Sequence, residues 1–598
     1  MTMLLAFLLA VTASGCSLFD SEQPEDTAKA FIDALSGGNT QRAAALTDSP
    51  KAAKAVLDQA RDALEPERIT GSVSEASEAG DGSSATAKLA LTWELPERRE
   101  WTYQAEAELV PGDEGWRLRW SPSMLHPELA AQQTIALQVE EPDLAPVLDR
   151  EGSPLLEPKN VVSIMLYPAE AKADGGVDKV ANALSNSLRR FEAGITAKSI
   201  EAGARKAKGK NGSSLVAVLR ETDYLSVKSA IYDLPGVKFR KQERLLAPSK
   251  DFGVQILAGI RSLVEKRVAG EAGWRIIARD ASGGEIAELH AEPAKPSEAV
   301  DTTLRRTTQA AAEDALAGVS KPAAIVALQP SSGDILAVAQ NAKADKQGAI
   351  ALTGRYPPGS TFKIATALAG LSSGKVRPGS KVDCPGTKVF KGRLVPNDDR
   401  FELGKVTLSR AFAKSCNTTF AQLAVDLPAD ALTKSARDLG IGADFEIPGI
   451  TTITGSAPAA DGVVQRAENG FGQGKILSSP FGLALAAATV KAGKTPTPSV
   501  LTGEETKASD LGEPLPGKHV KALRQMMRKV VTEGSATQLA DLPGVHGKTG
   551  TAQFGDGKKS HGWFAGFQGD LAFAVLIVGG DSSKPAVGAA HRFLAANA

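Results

Sequence analysis

The sequence has little cysteine, few aromatic residues, no excess of either charge and no long apolar run. Only 3 of its 598 residues are cysteine, which excludes a scaffold held together by disulfides. Aromatic residues make up 5%, so the core must be built mainly from Ala, Val, Leu and Ile. Lys+Arg and Asp+Glu are both 69, a net charge of zero; this argues against a chain made to coat nucleic acid, and no nucleic-acid partner is expected. No stretch reaches the roughly 18 apolar residues of a membrane-spanning helix. The 6 histidines (126, 290, 519, 546, 561 and 591) lack metal-ligand spacing, and no repeat of about 20–50 residues is present. No cofactor and no metal are expected. Hydrophobic residues at 42% and charged residues at 23% are those of a globular chain, and the length suggests three or four domains.

The start of the chain is the exception. Residues 3–12 (MLLAFLLAVT) are apolar and are followed by Ala13-Ser14-Gly15-Cys16, the pattern of a signal-peptide core and its cleavage site. This stretch resembles a bacterial lipobox, which implies a signal peptide over 1–16 and a lipid on Cys16. The alternative is a buried segment with an incidental cysteine.

Beyond it, residues 26–35 put Ala28, Phe31, Ile32 and Leu35 on one helical face, and Gly37-Gly38 stops the helix. Three runs then alternate with period two. They are Ala87 to Leu95, Trp101 to Leu109, and Trp116, Leu118 and Trp120. This predicts an antiparallel meander with its own core, hence a small α+β domain over 17–135. A second segment, 145–295, mixes short strands (161–167) with helices (177–192). Its basic, Gly-rich stretch 205–212 reads as a solvated loop. A third, 300–598, opens with a hairpin (323–329 and 334–340) and closes with two more strands (561–568 and 571–578) around helical stretches such as 361–371 and 480–492. Its two ends are expected to form one sheet.

Three short motifs follow in order: Ser360-Thr361-Phe362-Lys363, Ser415-Cys416-Asn417 and Lys548-Thr549-Gly550-Thr551. Together they form the set S-x-x-K, S-x-N and K-T-G found in serine acyl-transfer enzymes. Positions i and i+3 share a helix face, so Lys363 can reach the Ser360 hydroxyl. A serine is a poor nucleophile without a base, and a lysine serves as one only when burial or a neighbouring cation lowers its pKa. Lys548 could be that cation. Ser360 follows Pro357-Pro358-Gly359, so it sits at a helix start whose free N–H groups can bind an oxyanion. Ser415 can relay a proton, and Asn417 can hold Lys363 and a substrate carbonyl together. Lys548 and Thr549 suit a carboxylate, and Gly550 lets a backbone approach closely. A P-loop is excluded, because Leu542 stands where its first glycine is required. Gly470-Phe471-Gly472-Gln473-Gly474 reads as a tight turn. Cys384 and Cys416 either pair or remain free thiols.

These motifs, with Arg355-Tyr356-Pro357-Pro358-Gly359 before Ser360, the Gly470 to Gly474 run before Ser479-Pro480, and Trp563-Phe564-Ala565-Gly566, resemble those of class B penicillin-binding proteins. Leu148-Asp149-Arg150-Glu151-Gly152 resembles the start of that family's dimerisation (pedestal) domain, and the segment ending Trp120-Ser121-Pro122 is similar to its MecA-type, nuclear-transport-factor-two-like N-terminal domain. The resemblance implies a multidomain α+β monofunctional D,D-transpeptidase. Ser360 would be acylated by peptidoglycan stem peptides or β-lactams. Lys363 would be the base, and the backbone N–H groups of Ser360 and Thr551 the oxyanion hole. It also implies work at the outer face of the cell membrane, held there by the lipid, with cell-elongation or division proteins as partners. A β-lactamase or D,D-carboxypeptidase, with water as acceptor, is the alternative enzyme. A penicillin-binding sensor or division scaffold is the alternative of another class.

Overall fold

A computed structural model describes residues 23–597 except 114, 172–175, 208, 210 and 556. Cys16 and the apolar run before it lie outside the described residues. The chain divides into two units. One runs up to Pro142 and takes back Glu271–Pro296; the other comprises Asp143–Gly270 and Ser297–Ala598.

In the first unit, helices Pro24–Ser36, Thr40–Ala45 and Pro50–Leu64 precede an antiparallel sheet. Its strands, Arg68–Glu78, Ala85–Leu95, Arg99–Gly112 and Gly115–Leu118, lie in chain order. Alternation decides which face is dry: Ala85, Ala87, Leu89, Leu91, Trp93 and Leu95 are all buried. Phe31, Ile32, Leu35 and Leu57 from the helices complete this core. Trp93 and Trp101 face each other across the sheet, and the Trp93 indole N–H donates to the Tyr103 hydroxyl at 2.9 Å. This partner is what lets so large a polar-edged ring be fully buried.

Residues 271–296 belong to this unit, although the sequence places them with the 145–295 segment. Gly273–Arg279 takes the middle of a second sheet, between Thr134–Glu140 and Glu285–Glu292. A strand's distant partner leaves no mark in its own alternation, which is why local pattern leaves residues 271–295 with the segment before them.

In the second unit, Pro154–Leu166 pairs with Ser214–Arg220 on one side and Val237–Leu246 on the other. Helices Gly176–Leu188 and Ala197–Lys206 contribute to the core beside it. Arg205 and Lys206 end the second helix and are exposed. Asp149 is 2% exposed. Its carboxylate accepts from the N–H groups of Glu151 (2.9 Å) and Ser153 (2.8 Å), and from that of Arg306 (2.9 Å). It thus ties the Asp-Arg-Glu-Gly turn to the positive end of helix Arg306–Ala317.

The largest sheet is antiparallel throughout, in the order Ile335–Gln340, Ala323–Leu328, Leu571–Ile577, Lys559–Gln568 and His546–Phe554. The two ends of the segment do close one sheet. Helices Arg306–Ala317 and Lys584–Ala596 pack against it, as does Pro480–Ala492, whose residues from Pro480 to Val490 are all buried. His546–Phe554 is an edge strand. Cys384 and Cys416 are joined in a disulfide. It ties strand Lys381–Cys384 to the start of helix Asn417–Asp426.

Replacing Trp93 by Ala removes one of the largest side chains of the first unit's core. The unfolding free energy of that unit should fall by about 3–5 kcal/mol, read as a lower first transition in calorimetry of the full chain. An unchanged transition would contradict the packing described.

Candidate active site

Three backbones meet at Ser360, and glycine is what lets them. Gly359 has φ 53° and opens the tight turn Gly359–Phe362, which runs into helix Lys363–Ser372. A Cβ on Gly359 would lie 2.5 Å from the Thr551 carbonyl oxygen. Gly472, at φ 76°, sits where a Cβ would lie 1.9 Å from the Gly359 carbonyl oxygen, and its own carbonyl accepts from the Gly359 N–H at 2.9 Å. A Cβ on Gly550 would come within 2.7 Å of the Pro358 oxygen. The Gly470 to Gly474 run is therefore a turn, as its sequence suggests, and its role is to seat the Ser360 turn. Thr366 reinforces the contact by donating to the Gly470 carbonyl at 2.9 Å, and Tyr356 and Ser478 exchange backbone bonds at 3.0 and 2.9 Å. The Ser360 side chain is half-buried, and its hydroxyl makes no hydrogen bond among the described residues.

Lys363 and Lys548 are both fully buried, at 0% exposure. The Lys363 ammonium donates to the Ser415 carbonyl and to Asn417 Oδ1, each at 2.7 Å, and lies 3.2 Å from Ser415 Oγ. Lys548 donates to Ser415 Oγ at 2.9 Å and to the Thr549 carbonyl at 3.1 Å. The Ser415 hydroxyl is thus held between two lysines. Ser415 adopts φ 64° to be there, a left-handed conformation that non-glycine residues rarely take and that collects at functional sites. Asn417 in turn donates to the Pro396 carbonyl at 3.0 Å.

Burial pushes the Lys363 pKa well below its usual value, the charge of Lys548 pushes it further down, and Asp398 opposes both. Burial alone brings Lys548 down to about 7. Two buried cations bonded to one hydroxyl repel each other, which favours loss of a proton from the pair. Burial and the Lys548 charge both push Lys363 down. A neutral amine there has two N–H groups, which match its two 2.7 Å acceptors, and keeps a lone pair. Each amine also lies over an aromatic face, Lys363 5.6 Å from Phe420 and Lys548 5.7 Å from Phe412. Together these groups can take a proton from Ser360 and hand one on through Ser415.

The structure brings Lys363, Ser415, Asn417 and Lys548 into one bonded cluster. It places Ser360 one turn ahead of Lys363, with Thr549 and Gly550 buried on the edge strand and Thr551 half-buried beyond them. The sequence reading missed Asp398, the Pro396 carbonyl, and the rings of Phe412 and Phe420. Phe412 and Phe420 stand three positions before Ser415 and after Asn417, but which amine each ring meets, and the approach of Asp398 and Pro396, are decided by tertiary packing. Among the described residues no group of His, Cys, Asp and Glu is arranged to hold a metal ion.

Residues 323–595 match the penicillin binding protein transpeptidase domain, and residues 23–133 match the NTF2-like N-terminal transpeptidase domain. Over 541 residues the chain is 26% identical to penicillin-binding protein 3 of Bacillus subtilis, covering 79% of this chain and 78% of that protein. Over 347 residues it is 30% identical to the peptidoglycan D,D-transpeptidase PbpA of Mycobacterium tuberculosis, covering 49% of this chain and 69% of that protein. Among solved structures, the complex between PBP2 and MreC from Helicobacter pylori contains a chain similar to this one, with a TM-score of 0.58 at 17% identity. The match covers 77% of this chain and 98% of that one, a likeness of fold.

Two outcomes are expected from this geometry. Gly472→Ala should slow any acylation of Ser360 about 100-fold, the effect of misplacing a reacting group by about 1 Å; stopped-flow acylation kinetics would check it. The second concerns pH. Lys548 binds its proton more weakly folded (about 7) than at its usual 10.5, so the unfolded chain holds more protons between those values. The stability of the second unit should therefore rise with pH across that window. Denaturant midpoints at successive pH values should climb, and Lys548→Met should lessen the climb, leaving the share of the lowered Lys363.

Proposed function

The chain belongs to the class B penicillin-binding proteins with an NTF2-like N-terminal domain, and we propose how its residues perform the reaction. It is a serine-type peptidoglycan D,D-transpeptidase. One observation carries the assignment of roles. A single hydroxyl, that of Ser415, is bonded by two fully buried lysines, one of which follows Ser360 by one helical turn.

Ser360 Oγ attacks the carbonyl carbon of the penultimate D-Ala of a stem peptide, and its proton passes to the neutral Lys363 amine. Negative charge gathers on the carbonyl oxygen, where the backbone N–H groups of Ser360 and Thr551 receive it. The C–N bond breaks. Ser415 delivers its proton to the departing D-Ala amine and is reprotonated within the lysine pair. Asn417 holds Lys363 in place and can donate to the peptide. Lys548, Thr549 and Gly550 form the wall against which the terminal carboxylate and extended backbone of the donor lie. An amine of a second stem peptide then attacks the acyl carbon, the ester breaks, and Ser360 recovers its proton. β-Lactams react as substrate mimics and remain on Ser360.

We place this work on peptidoglycan outside the cytoplasmic membrane, with residues 300–598 as the transpeptidase domain, 145–270 as the pedestal, and 17–142 together with 271–296 as the N-terminal domain. No described helix is long and apolar enough to cross a membrane, and a lipid on Cys16 is the anchor we favour, on the strength of the Ala-Ser-Gly-Cys stretch after an apolar run. A cell-elongation protein is a fitting partner, since the similar PBP2 is found in complex with MreC.

Intact-mass analysis after incubation with benzylpenicillin tests the assignment. Wild type should gain one drug mass and Ser360→Ala none. Lys363→Ala should acylate about 100- to 10,000-fold more slowly, the range for loss of a general base. An equal adduct on Ser360→Ala would overturn the role of Ser360.

A further inference from the structure

Gln473 lies in the turn that seats Ser360, and its side chain reaches across to the edge strand His546–Phe554. There its amide oxygen accepts from the Gln553 N–H at 3.0 Å, and its amide nitrogen donates to the Gln553 carbonyl at 3.2 Å. One side chain thus takes the place that a residue of a further strand would take. Its backbone is held by the turn: the Gln473 N–H donates to the Glu468 carbonyl at 3.0 Å. Glu468 is in turn paired with Arg393 at 2.8 Å. The Gln473 side chain is half-buried, whereas that of Gln553 is exposed.

The register shows which side of the strand this bond closes. Ser560 stands opposite Gln553 and turns its carbonyl away, to the Asp581 N–H at 2.9 Å. The N–H and C=O of Gln553 therefore face the open side of the sheet. Such groups change sides with each residue along an antiparallel strand, so those of Thr551 and Thr549 face the open side too. The Thr549 carbonyl accepts from Lys548, and Gln553 is bonded at both groups by Gln473. Between them, the N–H and C=O of Thr551 have no bond to this side among the described residues. The edge offers a chain from outside one complete backbone pair. During acylation the donor's penultimate carbonyl lies at the Thr551 N–H and its terminal carboxylate toward Thr549. The chain before the penultimate residue then runs toward Gln553. Were Gln553 open, the residue two places earlier would pair with it, and any α-linked peptide would gain affinity by lengthening the strand.

We infer that Gln473 is a specificity-determining residue: its amide ends the open edge at Gln553, so that a donor pairs with the strand through its penultimate residue alone and the chain before that residue leaves the sheet. Selection then falls on the penultimate residue and the terminal carboxylate, and length of chain earns nothing. This deepens the transpeptidase reading and rests on it.

The test uses an α-linked N-acyl tripeptide ending in a D-Ala thioester, with thioglycolate as the leaving group that supplies the carboxylate. Second-order acylation rates are compared with and without a methyl on one backbone nitrogen. In wild type, methylating the D-Ala nitrogen should slow acylation about three- to tenfold, the loss of one hydrogen bond to the Thr551 carbonyl. Methylating the nitrogen of the first residue, two places earlier, should leave the rate unchanged. In Gln473→Ala the freed Gln553 carbonyl takes that N–H, so the same methyl should now slow acylation about three- to tenfold. Each ratio is taken within one protein, so a general structural defect, which slows both donors alike, does not move it. Sensitivity of wild type to the first-residue methyl would overturn the inference, and so would a Gln473→Ala enzyme that remains indifferent to it. In either case the transpeptidase reading stands. Failure of wild type to be acylated by the unmethylated donor would overturn that reading and this inference with it.

Discussion

Two lysines are buried around one hydroxyl, and no carboxylate forms an ion pair with either among the described residues. An ordinary fold avoids this arrangement, because burying an unpaired cation is expensive. Loss of one proton would relieve it. A neutral Lys363 satisfies two carbonyl oxygens with its N–H groups and keeps a lone pair for a hydroxyl. Lys548 is left with Ser415 and a backbone carbonyl. The same desolvation that makes the pair awkward to bury pushes the Lys363 pKa down, the direction a base needs. Stability and chemistry are therefore set against each other at one point of the structure.

The rest of the second unit holds that point still. Glycines 359, 472 and 550 permit carbonyl oxygens to approach where a Cβ would collide, so the Ser360 turn, its supporting turn and the edge strand are locked together without side chains between them. The disulfide to Cys416 pins the residue between Ser415 and Asn417. Both neighbours reach the same amine, so a shift of this residue would move the hydroxyl and the amide together. The five-stranded sheet and the helix Pro480–Ala492, buried as far as Val490, form the base. The edge position of His546–Phe554 leaves one side of the K-T-G segment unpaired by the sheet and able to take an extended chain.

The first unit follows a different logic. Its core is large tryptophans on an antiparallel sheet under three helices, and no comparable cluster of titratable groups is gathered there among the described residues. Its match to an NTF2-like domain describes a fold, and fold alone assigns it no chemistry.

Much of this could be read from residue order. Period-two alternation marked the strand Ala85–Leu95, because one face of that strand is dry and the other wet. Apolar runs at both ends of the 300–598 segment marked a sheet closed by its termini. The S-x-x-K spacing placed Ser360 and Lys363 on one face, because that pairing is local. The motif set also brought Lys363, Ser415, Asn417 and Lys548 together, across separations of 52 and 133 positions, but not their distances or burial. What lay beyond reach is what has no motif. Gly273–Arg279 pairs with Glu285–Glu292 next to it and also with the distant strand Thr134–Glu140. Asp398 has no spacing to betray it, and two cysteines 32 positions apart are equally compatible with a bond and with free thiols until the backbone sets their distance. The sequence by itself determined the local geometry and the kinds of group available. The tertiary structure decided which groups share one dry space, because desolvation and through-space charge act on distance in the fold rather than along the chain.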